Sequence, residues 1–243
     1  MTPGAVCPPG DALAERILIE YGAIFVAAED VTPPPACVFT DADQVASFQR
    51  SVPCAEARIA GFEVRLQRAA LESLLRACAE ARSRGLTITP RGGTEAARRS
   101  YDDGLRLWES RFAPALAHWT SRGRIDEGEA ARLRKLAPPD QVREVLALEA
   151  DEIFFSKDFS KTVLRSVAAP GTSQHLALLA FDAIEFNNPL VRDLLKRHGW
   201  FQTVIGDLPH FTYLGRAESE LPALGLRRTI SDEREFWVPN IAA

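Results

Sequence analysis

Two short stretches near the C-terminal end carry residue types able to do chemistry. In SQHLALLAFD, His175 precedes Asp182 by seven residues, and in DLPHFTYLG, Asp207 precedes His210 by three. Two imidazoles and a carboxylate are a sufficient ligand set for a catalytic zinc, which takes three protein ligands and keeps a fourth position for water. The remaining carboxylate can carry a proton beside them.

Ligands of one metal must bring their side chains to a point. At roughly 3.3 Å per residue, a straight strand would hold His175 and Asp182 about 23 Å apart and, at an odd offset, on opposite faces. A continuous strand is therefore excluded. A helix, in which seven residues nearly close two turns, or a turn followed by a strand, meets the requirement. Ala169, Pro170, Gly171 and Thr172 before the pair favour the turn, and Phe181, Ile184 and Phe186 favour a strand after it. A His and an Asp bordering an apolar run also occur as satisfied structural groups, and it is the second segment that raises the metal reading.

These residues resemble the VanY-like D-alanyl-D-alanine carboxypeptidases, whose motif reads Ser-x-His, six residues, Asp, and later Glu-x-x-His. Ser173, His175, Ala180, Asp182 and His210 fall on it, preceded by VAAPG. The resemblance covers roughly residues 86 to 216 and is densest over residues 167–215. It departs at Leu178, where the family has Gly, and at Asp207, where the family has its catalytic Glu.

The resemblance implies an α+β fold, a largely antiparallel sheet with flanking helices around a DD-peptidase/Hedgehog-like core. It implies Zn2+ held by His175, Asp182 and His210, Asp207 as general base, and Ser173 hydrogen-bonding the substrate. The implied partner is a peptidoglycan stem peptide ending in D-Ala. Asp is one methylene shorter than Glu, and a misplacement of about 1 Å can cost on the order of a hundredfold in rate. A noncatalytic cell-wall binding module therefore stands as one alternative, and an endopeptidase on the same scaffold, which would cut within a stem peptide and need no carboxylate-gripping Arg, as another.

A carboxypeptidase must also grip a terminal carboxylate, which Arg does with two parallel hydrogen bonds. In LTITPRGGTEAARRSYDDGLRLW, Leu86 to Thr89 reads as a strand, residues 90–93 as a turn, and Thr94 as the cap of a helix with Ala97, Tyr101, Leu105, Trp108 and Phe112 as its apolar stripe. The family's Gly-Tyr-Arg-Ser element follows the equivalent strand. Arg91, in the turn, is the preferred counterpart because it can reach a cleft; Arg98 and Arg99 read as a solvated helix face.

The other histidines read as structural. His198 closes a helix begun by Asn188 and Pro189 and followed by Gly199, where cations complement the dipole. His118 has no partner motif. Lys157, Asp158 and Lys161 read as a solvated loop.

With 243 residues, 46% hydrophobic and 26% charged, the chain can bury one sizeable core. The expected organisation is an N-terminal α/β appendage, residues 1–85, packed on a zinc peptidase core, residues 86–243. A net charge of −4, with no Lys/Arg block interleaved with aromatics, gives no basis for nucleic-acid affinity. No apolar stretch approaches the ~18 residues of a membrane span.

Residues 1–4, MTPG, lack the features of a signal peptide. The extracytoplasmic location that the resemblance implies, periplasm or cell envelope, would make this a mature form with an added Met.

Cys7, Cys37, Cys54 and Cys78 all lie in the N-terminal third without Cys-x-x-Cys spacing. Pairing Cys37 with Cys54 and Cys7 with Cys78 is the most economical and requires an oxidising compartment. Four buried thiols in a cytosolic protein are the alternative. Further elements expected are a helix over residues 11–21, strands over 23–26 and near Val38, a helix over 41–50, alternation through Phe62, Val64 and Leu66, and a helix bearing Leu71, Leu74, Leu75 and Cys78. Residues 125–150 read as charged and helical, and a closing hairpin pairs residues 226–230 with 235–238.

Overall fold

Most helices begin where the sequence supplies an acceptor for their free amides. The computed structural model describes residues 6–8 and 10–241, so the reading of residues 1–4 lies outside the described residues. Asp11 accepts from the Leu13 amide at 2.9 Å and starts α1 (Ala12–Tyr21). Asp41 accepts from Gln44 at 2.8 Å and starts α2 (Ala42–Ser51). α3 (Arg68–Ser83) grows directly out of a strand. Before α4 (Tyr101–Ser121), the Ser100 hydroxyl accepts from the Asp103 amide at 3.1 Å while the Asp103 carboxylate accepts from the Ser100 amide at 2.9 Å, a reciprocal capping box. Asp126 caps α5 (Glu127–Leu133), Pro138 opens α6 (Pro138–Leu148), and Asn188 caps α7 (Pro189–Arg197).

The strands form small antiparallel sheets, and with the helices around them the fold is α+β. β1 (Cys54–Ile59) and β2 (Phe62–Gln67) make a hairpin whose turn residues Ala60 and Gly61 both have positive φ, as a twisted two-residue loop demands. β3 (Ala180–Asp182), β4 (Trp200–Phe201) and β5 (His210–Tyr213) form a sheet of order β3-β5-β4. β6 (Leu226–Ser231) and β7 (Arg234–Pro239) are the closing hairpin.

One apolar core runs through these elements and takes in residues from both sides of residue 85, among them Val64, Leu74, Phe112 and Phe211. A smaller cluster of Phe201, Leu214, Leu226 and Trp237 sits under the closing hairpin.

Several expected elements differ. Residues 23–26 lie in a 3₁₀ helix (Gly22–Val26), and residues 36–40 form no strand. Residues 86–89 contribute only the bridge between Pro90 and Ala183 beyond their end. Thr94 falls inside a short 3₁₀ segment (Gly93–Ala96), and the long helix waits for Ser100, whose side chain has the Asp103 partner that Thr94 lacks. β3 stops at Asp182, and Ile184 and Phe186 belong to a 3₁₀ turn.

The disulfide joins Cys7 to Cys37, with Cα atoms 5.1 Å apart at a sequence separation of 30, and leaves Cys54 and Cys78 as free thiols. The shortest-loop pairing fails because Cys54 opens β1 and Cys78 is fixed on the buried face of α3. Burial pushes the Cys78 thiol up to about 11, which makes it unreactive at neutral pH.

Candidate metal centre

Strand register brings two of the proposed ligands together. In the antiparallel pair of β3 and β5, Asp182 stands directly opposite His210. Backbone bonds join Tyr213 N to Leu179 O (2.8 Å) and Ala183 N to Pro209 O (2.9 Å). The alternation of an antiparallel ladder then makes Asp182 and His210 a pair without mutual backbone bonds, the kind whose side chains approach most closely. His210 Nδ1 lies 3.1 Å from Asp182 Oδ1.

His175 arrives by the turn-then-strand route. It sits in the 3₁₀ turn Gln174–Ala177, which ends at Leu178 with φ 58 and ψ 33, a left-handed conformation that favours Gly. Leu178 thus holds a backbone conformation that a Gly would adopt without strain. His175 Nε2 lies 3.1 Å from His210 Nδ1 and 3.2 Å from Asp182 Oδ1.

Three donor atoms thus mark a nearly equilateral triangle. Zinc bonds of about 2.0–2.2 Å in a tetrahedron hold neighbouring donors roughly 3.3–3.5 Å apart, so the cluster is able to hold a metal ion with little movement. His175 is fully buried, His210 is 4% exposed and the Asp182 side chain 13%.

The protonation pattern can be followed outward from an atom that cannot donate. The carbonyl oxygen of Tyr21 accepts from Gln174 Nε2 at 2.8 Å, which fixes the orientation of that amide. Gln174 Oε1 therefore faces His210 Nε2 at 2.8 Å, and Nε2 must carry the ring proton. In the neutral ring, Nδ1 is then a bare lone pair aimed into the triangle. Burial, helped by the nearby Arg99 charge, lowers the His175 pKa to about 4, so the His175 ring is neutral at pH 7.

Burial works against ionisation of Asp182, but His175 and its hydrogen bonds outweigh it and hold the carboxyl well below its ordinary value. Arg99 Nη2 donates to Asp182 Oδ2 at 3.1 Å, leaving Oδ1 for the centre. Two imidazoles and a carboxylate converging within 3.2 Å present a concentration of lone pairs that a cation reconciles. His175 Nδ1 has no hydrogen-bond partner among the described residues, so this ligand lacks the outer support that His210 has.

Two buried glutamines from the N-terminal third hold the His175 turn from behind. Gln67 Nε2 donates to Ala177 O (2.8 Å), the Gln67 amide donates to Leu178 O (3.0 Å), and Gln49 Nε2 donates to Leu176 O (3.0 Å). Sequence reasoning missed both, and Gln174 as well. Strand alternation gave no signal for Gln67, which follows Leu66 out of step with the Val64 and Leu66 face and is nonetheless 1% exposed.

A cavity of about 180 Å³ opens beside the cluster, and His175, His210, Asp207, Ser173 and Arg99 all line it. Asp207 keeps contact with solvent at this mouth, yet close-packed neighbours strip enough water to raise its pKa. His210 opposes that shift, and Asp182 adds to it. The Arg91 side chain lies outside the cavity lining, with its guanidinium carbon 5.4 Å from the centre of the Phe186 ring. It is Arg99, expected on a solvated face, that enters the site. His198 pairs with Glu80 at 2.8 Å and His118 stacks on Phe159, both away from the cluster.

No family model and no curated protein matches the chain. Among solved structures, a point mutant of the vancomycin-resistance D,D-pentapeptidase VanY from a VanB-type resistance cassette, in complex with Zn(II), aligns at 18% identity over 69% of this chain and 81% of that one, with a TM-score of 0.38. A likeness at that level carries no weight for function.

Proposed function

We propose that the chain is a zinc-dependent peptidase that removes the terminal D-alanine from peptidoglycan stem peptides outside the cytoplasm. The observation that carries the reading is the convergence of His175, Asp182 and His210 at 3.1–3.2 Å beside a cavity that Asp207 also lines. The substrate class rests on the motif residues Ser173, Ala180 and the ligand spacing; the Cys7–Cys37 disulfide supports an oxidising location.

Zinc bound there would polarise the scissile carbonyl and lower the pKa of water. The protein's own groups do the rest. Asp207 takes a proton from the attacking water onto its carboxylate and hands it to the departing amine, and its raised pKa improves it for both halves of that task. Ser173, on the cavity wall, donates to the substrate backbone. Arg91 supplies the cation for the terminal carboxylate: its amide is bonded to Asp182 O at 2.9 Å and its charge already acts on Asp207. Gln174 and Arg99 hold the ligand set in its working tautomer and orientation.

The test is incubation with a peptide ending in D-Ala-D-Ala, following free D-alanine with and without a chelator. Release that stops on chelation and returns with Zn2+ is expected; no release under metal-replete conditions removes the function. The shorter Asp207 in place of Glu favours a second reading, a noncatalytic cell-wall binding module, which predicts zinc and peptide affinity without turnover. Cleavage inside the stem peptide would instead identify an endopeptidase.

A further inference from the structure

The cavity beside the cluster carries hydrogen-bond donors set among apolar groups such as Leu107, Leu164, Val167 and Val204. Arg111, Arg165 and Ser166 line it together with Asp207 and the two histidines. Arg111 Nε donates to Ser166 Oγ at 2.9 Å and Nη1 donates to Ser110 Oγ at 2.8 Å; these bonds aim the guanidinium but leave it without a carboxylate among the described residues. The same Ser166 oxygen accepts from the Lys157 amide at 3.2 Å. With two donors on its oxygen, the Ser166 hydroxyl has its own proton left to give.

Arg165 is exposed and has one long ion pair. Its nearest carboxylate is Glu20, 4.0 Å away and shared with Arg16 at the same distance. The segment bearing Arg165 is fixed on both sides, by the Tyr21 hydroxyl donating to Leu164 O at 2.5 Å and by Gly206, where a side chain would press on the Arg165 carbonyl at 3.3 Å. Gly206 immediately precedes Asp207, so Arg165 backs onto the loop that carries the proposed base.

The Arg111 guanidinium is half-buried and has no opposing charge among the described residues, a costly state unless a ligand completes it. Two guanidinium groups and a free hydroxyl proton offer only donors, and the chemical complement is an acceptor-only group, a carboxylate or a phosphate. Arg99 cannot serve, because Asp182 already engages it. Arg91, outside this lining, is assigned to the peptide's terminal carboxylate.

We infer that Arg111, Ser166 and Arg165 form an anion seat for a second carboxylate of the substrate, one carried by the peptide in addition to its terminal one. The inference rests on the peptidase reading for the identity of the ligand, and it makes the protein selective for acidic over amidated peptides.

The test is calorimetric titration of the full chain, with chelator present so that nothing is cleaved. Two N-acetylated pentapeptides ending in D-Ala-D-Ala are compared, one with a free internal D-glutamyl carboxylate and one with that group amidated. Wild type should bind the acidic peptide roughly tenfold to a hundredfold more tightly, the range for a charge-assisted contact. Arg111→Gln should abolish the preference, Arg165→Gln should reduce it, and both should leave affinity for the amidated peptide as it was.

Equal affinity of wild type for the two peptides overturns the seat without recourse to any variant, as does a preference that survives both substitutions. Inorganic phosphate alone should bind more weakly than the acidic peptide; tighter phosphate binding overturns the assignment to a peptide carboxylate. D-alanine release with zinc restored is measured separately. Release without acidic preference sinks the seat alone, and acidic preference without release sinks the peptidase reading alone.

Discussion

The β3–β5 ladder and the turn over residues 174–178 deliver ligands to the same point by different means. Asp182 and His210 face each other because a backbone register puts them there, and the bonds that enforce it come from residues within a few positions of each ligand. His175 has no ladder. Its turn is pinned through three successive carbonyls by Gln49 and Gln67, which lie more than a hundred residues earlier in the chain. A cross-strand pair can be formed by a short motif; a clamped turn requires the N-terminal third to be folded and docked. The comparison teaches that residues 10–85 act as part of the site's frame, although they contribute none of the three ligands.

Substitutions can separate the two devices. The largest effect is expected from Asp182→Ala or His210→Ala, which break the ladder-borne pair; zinc bound per chain, measured by equilibrium dialysis, should fall to none at micromolar metal. Asp207→Asn should keep the zinc but lower turnover roughly 10²–10⁴-fold. Because the raised Asp207 carboxyl acts as a base only when ionised, wild-type turnover should climb with pH across a limb above the usual carboxylate value near ~4, and the Asn variant should lose that limb.

Gln174→Leu frees the His210 tautomer and leaves the ladder intact, so zinc affinity should weaken about 10–100-fold, the range for loss of an outer hydrogen-bond partner. The smallest effect tests the clamp. Gln67→Met leaves the buried Ala177 carbonyl without its donor and removes the bond to Thr32 O, at a cost of about 1–3 kcal/mol in denaturant unfolding. If the clamp matters for His175, zinc affinity falls with it; unchanged affinity would mean that the turn holds itself.

The trio His175, Asp182 and His210 stood out in sequence through its resemblance to a peptidase motif, whereas the His175 and Asp182 spacing alone also allowed a structural pair; the structure brings the three together. α7 was legible too: Asn188, Pro189 and the closing cations each act locally, and the Asn188 side chain does accept from Leu190 at 3.0 Å. Position 100 carried an equally local signal, the Ser100–Asp103 box, which the competing Thr94 obscured. The disulfide and the glutamine clamps were opaque for another reason. Their partners are backbone carbonyls or a cysteine brought near by the fold, and no spacing within the chain encodes them. Arg91 and Arg99 were ranked by a helix expected to start at Thr94; once Ser100 becomes the cap, Arg99 lies just ahead of the helix and turns toward Asp182.

Leu178 gives the corner before β3 an unusual mutational profile. An L-residue in the left-handed region costs about 1–2 kcal/mol, while burying a leucine side chain returns roughly 1.5–3 kcal/mol, and this one is entirely enclosed. Glycine would relax the backbone but hollow out the interior; a β-branched residue would fill the space but resist the bend. The position is therefore caught between handedness and bulk, and sequence drift there should be narrower than at an ordinary glycine corner, with the placement of His175 depending on it.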